Sequence, residues 1–182
     1  MIYKPHPSRP ILFQQPSLLP WLNVEDNIAF GCRIRGEFDN LKHRVARFIK
    51  LMELTGFEKS HPPELSVGMA HRVCLARAFI GLPKILLLDE PFGALDTFTR
   101  FRIQNVLKER WQEKKFTVVF VTHDIDEAII LGTKVVLLDS LPCKIMDIFD
   151  INPNDTKDTT SKSFVELRTT ILNRFKEAFK SQ

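Results

Sequence analysis

Short apolar runs alternate with amphipathic stretches along this chain, and the alternation itself predicts a fold. Ile11-Leu12-Phe13 reads as a short strand leading to Gln14-Gln15-Pro16. Leu18-Leu19-Pro20-Trp21-Leu22 is apolar but interrupted by proline, which suits a loop with an exposed anchor. Asn23 followed by Glu25 and Asp26 marks a helix start, because a short polar side chain caps free N–H groups and acids favour the positive end of the macrodipole. Val24, Ile28 and Phe30 are its inward-facing candidates. Leu41, Val45, Phe48, Ile49 and Met52 recur at helical spacing and predict a second helix closing near Gly56. His61-Pro62-Pro63 is a break, and a third helix is expected from about Ala70 to Ile80, apolar at Val73, Leu75, Ala76 and Phe79.

The run Ile85-Leu86-Leu87-Leu88 then stops abruptly at Asp89-Glu90-Pro91. A near-continuous apolar run of this length is the mark of a parallel strand buried on both faces. A helix should follow from Asp96 to about Lys114, with Ile103, Val106, Leu107 and Trp111 on one face. Thr117 to Val121 reads as a second buried strand ending at Thr122-His123-Asp124, and Lys134 to Asp139 as a third. Between them Asp124, Asp126 and Glu127 load the first turn of a short helix. Strands alternating with helices predict an α/β fold with a parallel sheet and right-handed crossovers. Residues 141 to 162 are polar and proline-broken, and an exposed segment is expected there. Ser163-Phe164-Val165-Glu166 has the capping-box pattern. It opens a last amphipathic helix on Phe164, Leu167, Ile171, Leu172, Phe175 and Phe179, docked by its apolar stripe; contact of its basic face with lipid is the alternative. There are no internal repeats.

Composition narrows the functional classes. The 182 residues suffice for one domain with a sizeable core. The net charge of +4 is spread along the chain; it suits anionic partners such as a nucleotide or a membrane surface, and gives no nucleic-acid groove. Three cysteines, Cys32, Cys74 and Cys143, lie far apart without a CxxC pair. Neither a disulfide framework nor a zinc site is supported, and a reducing cytosolic setting fits. No apolar run is long enough to span a bilayer, and the first residues lack the apolar core of a signal peptide. Any membrane role is therefore expected to be peripheral.

The chemistry concentrates at element ends. Acids at the carboxyl end of a parallel strand lie where open α/β sheets bind ligands. Adjacent strand residues point to opposite faces, so Asp89 and Glu90 are free to take different tasks, one holding a metal and one facing a reacting water. Taken singly, Gln14 is equally a turn residue, Ser66 a helix cap and His123 a loop histidine.

In their order, however, these features resemble the nucleotide-binding domain of ABC transporters. Gln14 is similar to the Q-loop, and Leu65-Ser66-Val67-Gly68-Met69 to the signature loop. Ile85 to Glu90 resembles Walker B with its adjoining glutamate, Gly93-Ala94-Leu95-Asp96 the D-loop, and His123 the switch histidine. Leu18-Leu19-Pro20-Trp21, the run from Asp26 to Gly31 and Met69 look like the branch importing nitrate, sulfonates and taurine. The resemblance covers about residues 10 to 140 and implies a P-loop NTPase-like parallel sheet with a small helical subdomain. It places the helical subdomain, with the Q-loop and signature, at about 16–80, the core strands at 81–140, and a polar linker and helix at 141–182. It implies ATP and Mg²⁺ as cofactors. Asp89 would hold the metal through water, and Gln14 would touch the metal and the lytic water. Glu90 would act as general base and His123 would bind the γ-phosphate. Ser66 and Gly68 would close over ATP on a second ATPase subunit, and Asp96 would couple the two sites. Further partners implied are an integral-membrane permease, with Leu18 to Leu22 as contact, and indirectly a solute-binding protein. The expected location is the cytoplasmic face of the cell membrane.

Two departures stand out. No Walker A loop is present: the one Gly-x4-Gly, Gly31 to Gly36, is followed by Glu37-Phe38 and lies after the Q-loop. The expectation is an N-terminally truncated domain without its P-loop. The lost lysine and N–H contacts would weaken ATP binding by at least ~6 kcal/mol, roughly four orders of magnitude. Second, Val67 stands where the first signature glycine is usual, and His71 where glutamine is usual. A β-branched residue is poorly suited to positive φ or to close phosphate approach. Alternatives to an importer ATPase subunit are therefore an inert pairing module and a soluble ABC ATPase without a membrane partner.

Overall fold

The computed structural model describes residue 6 and residues 8–81, 83–139, 144–152 and 158–180, with side chains up to residue 177. The chain forms two compact units, the first ending at Val121 and the second beginning at Thr122.

The first unit is built on a parallel three-stranded sheet in the order β1-β2-β3: β1 Ile11–Leu12, β2 Ile85–Asp89 and β3 Thr117–Val121. Leu12 pairs with Leu88, and Asp89 with Val121. One sheet face carries Leu12, Leu86 and Leu88, all buried. Three helices form a layer of their own: α1 Val24–Ile34, α2 Leu41–Leu51 and α3 Val67–Ile80. α3 packs on both α1 and α2 and also reaches β1. α4, Thr97–Lys114, connects β2 to β3 and buries Ile103, Val106 and Leu107 as expected.

Local chemistry explains the boundaries. The Asn23 side chain accepts from the Asp26 N–H at 2.9 Å and starts α1. α3 begins at Val67, three residues earlier than periodicity suggests, because the Ser66 Oγ accepts from the Met69 N–H at 3.2 Å. At its other end the carbonyls of Ile80 and Gly81 accept from Arg44 (2.6 Å) and Arg110 (3.2 Å), so two guanidiniums satisfy acceptors that the helix cannot. The Arg35 guanidinium lies over Gly81, where an added Cβ would meet it at 2.0 Å and the arginine side chain would have to shift.

The second unit contains α5 Ile125–Leu131, β4 Lys134–Leu138, β5 Ile145–Asp150 and α6 Lys162–Lys180. Its core is Ile129, Ile151, Phe164 and Ile171, with Leu167 packed against it. The docked apolar stripe of the last helix is thus present; Phe175 stays partly exposed and the Phe179 side chain lies outside the described residues. Ser161 caps α6, its Oγ accepting from the Phe164 N–H at 3.3 Å, so the cap lies two residues before the expected Ser163.

Two expectations are corrected. β4 does not extend the parallel sheet; it pairs antiparallel with β5, a largely exposed strand within the segment for which no strand is predicted. β3 is not buried on both faces: Val119 is 53% and Val121 57% exposed. With Ile11, these residues occupy the face opposite Leu12, Leu86 and Leu88, as the register requires. Leu88→Ala is expected to cost 2–5 kcal/mol (an order-of-magnitude figure for a buried leucine), whereas Val119→Thr should stay within about 0.5 kcal/mol. Urea denaturation of the two variants measures this contrast.

Candidate active site

β1 and β2 are parallel neighbours, so their carboxyl ends leave the sheet on one rim. Gln14 lies two residues beyond Leu12, and Asp89 one beyond its partner Leu88. Gln14 is exposed, while Asp89 and Glu90 are partly buried. Glu90 turns the chain sharply: its φ is +47°, in the left-handed region that a residue with a Cβ seldom occupies. The turn is held by main-chain bonds. The Glu90 N–H donates to the Val121 carbonyl at 3.0 Å, and the Glu90 carbonyl accepts from the Gly93 N–H at 3.4 Å. Pro91 and Phe92 close the corner from inside the core. The strand end is therefore a fixed corner presenting two adjacent carboxylates.

The signature segment lies against this corner. Ser66 and Val67 are exposed at the start of α3. Val67 is the first residue of a regular helix turn and is not among the residues of positive φ; neither is Gly68. The expected conflict between a β-branched residue and the backbone is thus absent. A Cβ on Gly68 would lie 3.7 Å from the Ala94 carbonyl, placing the signature and the Gly93-Ala94-Leu95-Asp96 turn side by side. Asp96 caps α4, accepting from the N–H groups of Phe98 (3.1 Å) and Thr99 (3.0 Å). Hydrogen bonds from Thr99, through its side chain and its N–H, hold the Asp96 carboxyl below the usual aspartate range.

His71, whose position invited attention only as a departure, is fully buried, and its Nε2 lies 2.7 Å from the Pro91 carbonyl. Asn27 was also overlooked. It is fully buried; its Nδ2 donates to the carbonyls of Leu19 (3.1 Å), Leu22 (2.9 Å) and Asn23 (3.1 Å), and its Oδ1 accepts from the Leu19 N–H at 2.9 Å. Arg77 adds a bond to the Ser17 carbonyl at 2.7 Å. The Leu18 to Leu22 loop is thereby pinned from beneath, with Trp21 69% exposed on top.

His123 belongs to the second unit. It is exposed and precedes Asp124, whose side chain caps α5 through the N–H groups of Asp126 (2.9 Å) and Glu127 (3.2 Å). Glu127 folds inward, buried, and accepts from the Thr122 hydroxyl at 2.9 Å. Thr122 Oγ1 in turn accepts from the Asp124 N–H at 3.0 Å, so the histidine stands on a tied turn.

No group of three or more His, Cys, Asp or Glu side chains forms a metal cage among the described residues. Burial pushes the thiols of Cys32 and Cys74 up, so both behave as core residues. No described helix is long and apolar enough to cross a membrane.

A parallel sheet whose central strand ends in paired carboxylates, beside a helix capped at a Leu-Ser-x-Gly turn, defines an ATPase domain of the ABC class. The family model described as "ABC transporter" matches residues 4–93. The chain is 45% identical over 174 residues to the aliphatic sulfonates import ATP-binding protein SsuB of Bacillus thuringiensis subsp. konkukian, covering 96% of this chain and 68% of that protein. It is 38% identical to the taurine import ATP-binding protein TauB of Escherichia coli O6:H1, covering 98% and 74%. Among solved structures, the post-hydrolysis dimer of the ATP-binding cassette MJ0796 bound to ADP and Pi superposes with a TM-score of 0.67 at 29% identity, over 79% of this chain and 63% of that one. The chain belongs to the ABC transporter family. It spans about two thirds of the length of these relatives.

Asp96 gives a pH-dependent test. Its folded carboxyl titrates below its unfolded value of about 3.9, so its contribution is complete above that pH and is lost as pH falls through the depressed folded value. The difference in urea midpoint between the wild type and Asp96→Ala is expected to be constant from about pH 5 to 8 and to narrow below about pH 4.

Proposed function

We propose that this chain is the catalytic and coupling part of an ATP-hydrolysing subunit that drives import of a small sulfonate-like anion or related organic solute. The fixed corner at Asp89-Glu90 carries the reading. A general base must be held where a water can be aimed, and a carboxylate on a strained turn anchored by two main-chain bonds supports that reading. Glu90 takes the proton of the attacking water. Asp89 and Gln14, leaving the same sheet rim, are the residues that would hold Mg²⁺, through water in the case of Asp89. When bound, the ion neutralises charge on the phosphates. His123, braced by Thr122, donates to the terminal phosphate as charge builds there.

Ser66 and Gly68 offer the N-terminal N–H groups of a 14-residue helix, α3, to the phosphates of ATP on a second ATPase subunit. Asp96, in the turn beside Gly68, couples the two subunits. A P-loop-bearing segment would bring phosphates to these carboxylates. The uncovered sheet face of Ile11, Val119 and Val121 is the surface such a segment would cover. Trp21, exposed on the pinned loop of the helical layer (about residues 16–80), supports a contact with a membrane-embedded permease, and the protein would then sit on the cytoplasmic face of the membrane. A solute-binding protein outside would select the cargo.

The test joins this chain to the P-loop-bearing N-terminal segment of a sulfonate-importer relative and measures Mg-ATP hydrolysis. Turnover is expected, and Glu90→Gln should lower kcat by roughly 10²–10⁴-fold with little change in ATP binding. No turnover, or turnover indifferent to Glu90→Gln, would count against the assignment and favour an inert pairing module.

A further inference from the structure

Pro91 has no N–H, so its carbonyl is the one polar group by which that residue can be held. The carbonyl is buried, and a buried acceptor without a donor is costly. The donor it finds comes from a different element: Nε2 of His71, at 2.7 Å, from the second turn of α3. A carbonyl only accepts, so the imidazole carries its proton on Nε2. Nδ1 is enclosed and meets no hydrogen-bonding group among the described residues. The ring is therefore committed to a single bond, and that bond ends one residue beyond the strained Glu90.

We propose that His71 is a positioning residue for Glu90. It ties the helix whose N-terminus carries Ser66 and Gly68 to the corner that carries the carboxylate, so the placement of that helix and the placement of the base are set together. The sheet holds the corner through Val121, and the turn holds it through Gly93; His71 is the hold supplied by the signature helix. The proposal rests on the reading of Glu90 as general base only for its catalytic consequence, since the mechanical link is a property of this chain alone.

Two variants separate positioning from folding. His71→Leu keeps bulk and removes the donor; His71→Gln keeps a side-chain N–H. In amide hydrogen exchange on this chain, His71→Leu is expected to speed exchange at Glu90 and Gly93 about tenfold while amides inside α1 and α4 keep their protection. His71→Gln should restore the Glu90 and Gly93 protection. Protection unchanged in both variants, or lost alike at every amide, would overturn the proposal. If His71→Leu does not fold, the wild-type imidazole decides: a directly bonded Nε2–H signal slowed in exchange supports it, and protonation at Nδ1 alone refutes it. In the chain joined to a P-loop segment, His71→Leu should lower kcat with the KM for ATP within about twofold. Should Glu90→Gln leave turnover intact there, the general-base reading fails, while the exchange result still judges the link.

Discussion

One backbone constraint governs the centre of this molecule. β2 must end where its last residue, Asp89, still pairs with Val121, and the chain must then turn back under the sheet to begin α4. Glu90 makes that turn in a left-handed conformation, which costs a residue with a Cβ of order 1 kcal/mol. Such a conformation persists only where its surroundings over-determine it. Here the Val121 carbonyl, the Gly93 N–H and the His71–Pro91 bond do so together. A glycine would turn the corner without strain but would bring no carboxylate. The strain and the carboxylate thus occur at one residue.

α3 is the element on which the rest of the first unit converges. Its start is capped by Ser66, its end is satisfied by Arg44 and Arg110, and its middle is tied by His71 to the corner. Arg77, near its last turn, reaches the loop that Asn27 pins from α1. A displacement of this helix would thus be felt at the carboxylate corner and at the Trp21 loop. Both links are hydrogen bonds to main-chain carbonyls, which fix the path of the backbone as apolar contacts do not. Apolar packing holds the helix in place; the polar groups determine what moves with it.

Much of this was legible in the residues because chemistry-bearing side chains sit at element ends, where local signals are strong. Asn23, Ser66, Asp96 and Asp124 all cap helices, and each is a type that bonds free N–H groups. What was not legible depends on partners distant in sequence. Asn27 and His71 are polar residues within helices, and nothing adjacent in sequence marks the loop and turn that they bind. The start of α3 was misplaced because Val67 and Gly68 are weak helix formers, and the Ser66 cap outweighs their propensity. β5 was missed because Ile145-Met146-Asp147-Ile148-Phe149-Asp150 lacks clean alternation and exists through pairing with β4. Burial of β3 was overstated, since an apolar run records how a strand can be covered but not how many faces are covered.

The exposed face of β3 bears on how the site is divided. With Val119 and Val121 more than half exposed, β3 forgoes part of the transfer free energy that full burial would give, on the order of 1 kcal/mol for each side chain. The unit holds together because Leu12, Leu86 and Leu88 are buried on the other face and the three helices form a core of their own. The residues that position the carboxylates, His71, Pro91, Phe92 and Gly93, all lie within this first unit. The bonds that hold the corner are therefore complete where the sheet is only half covered. The backbone at Glu90 is thus set independently of whatever covers the open face, because the corner is held by bonds internal to this unit.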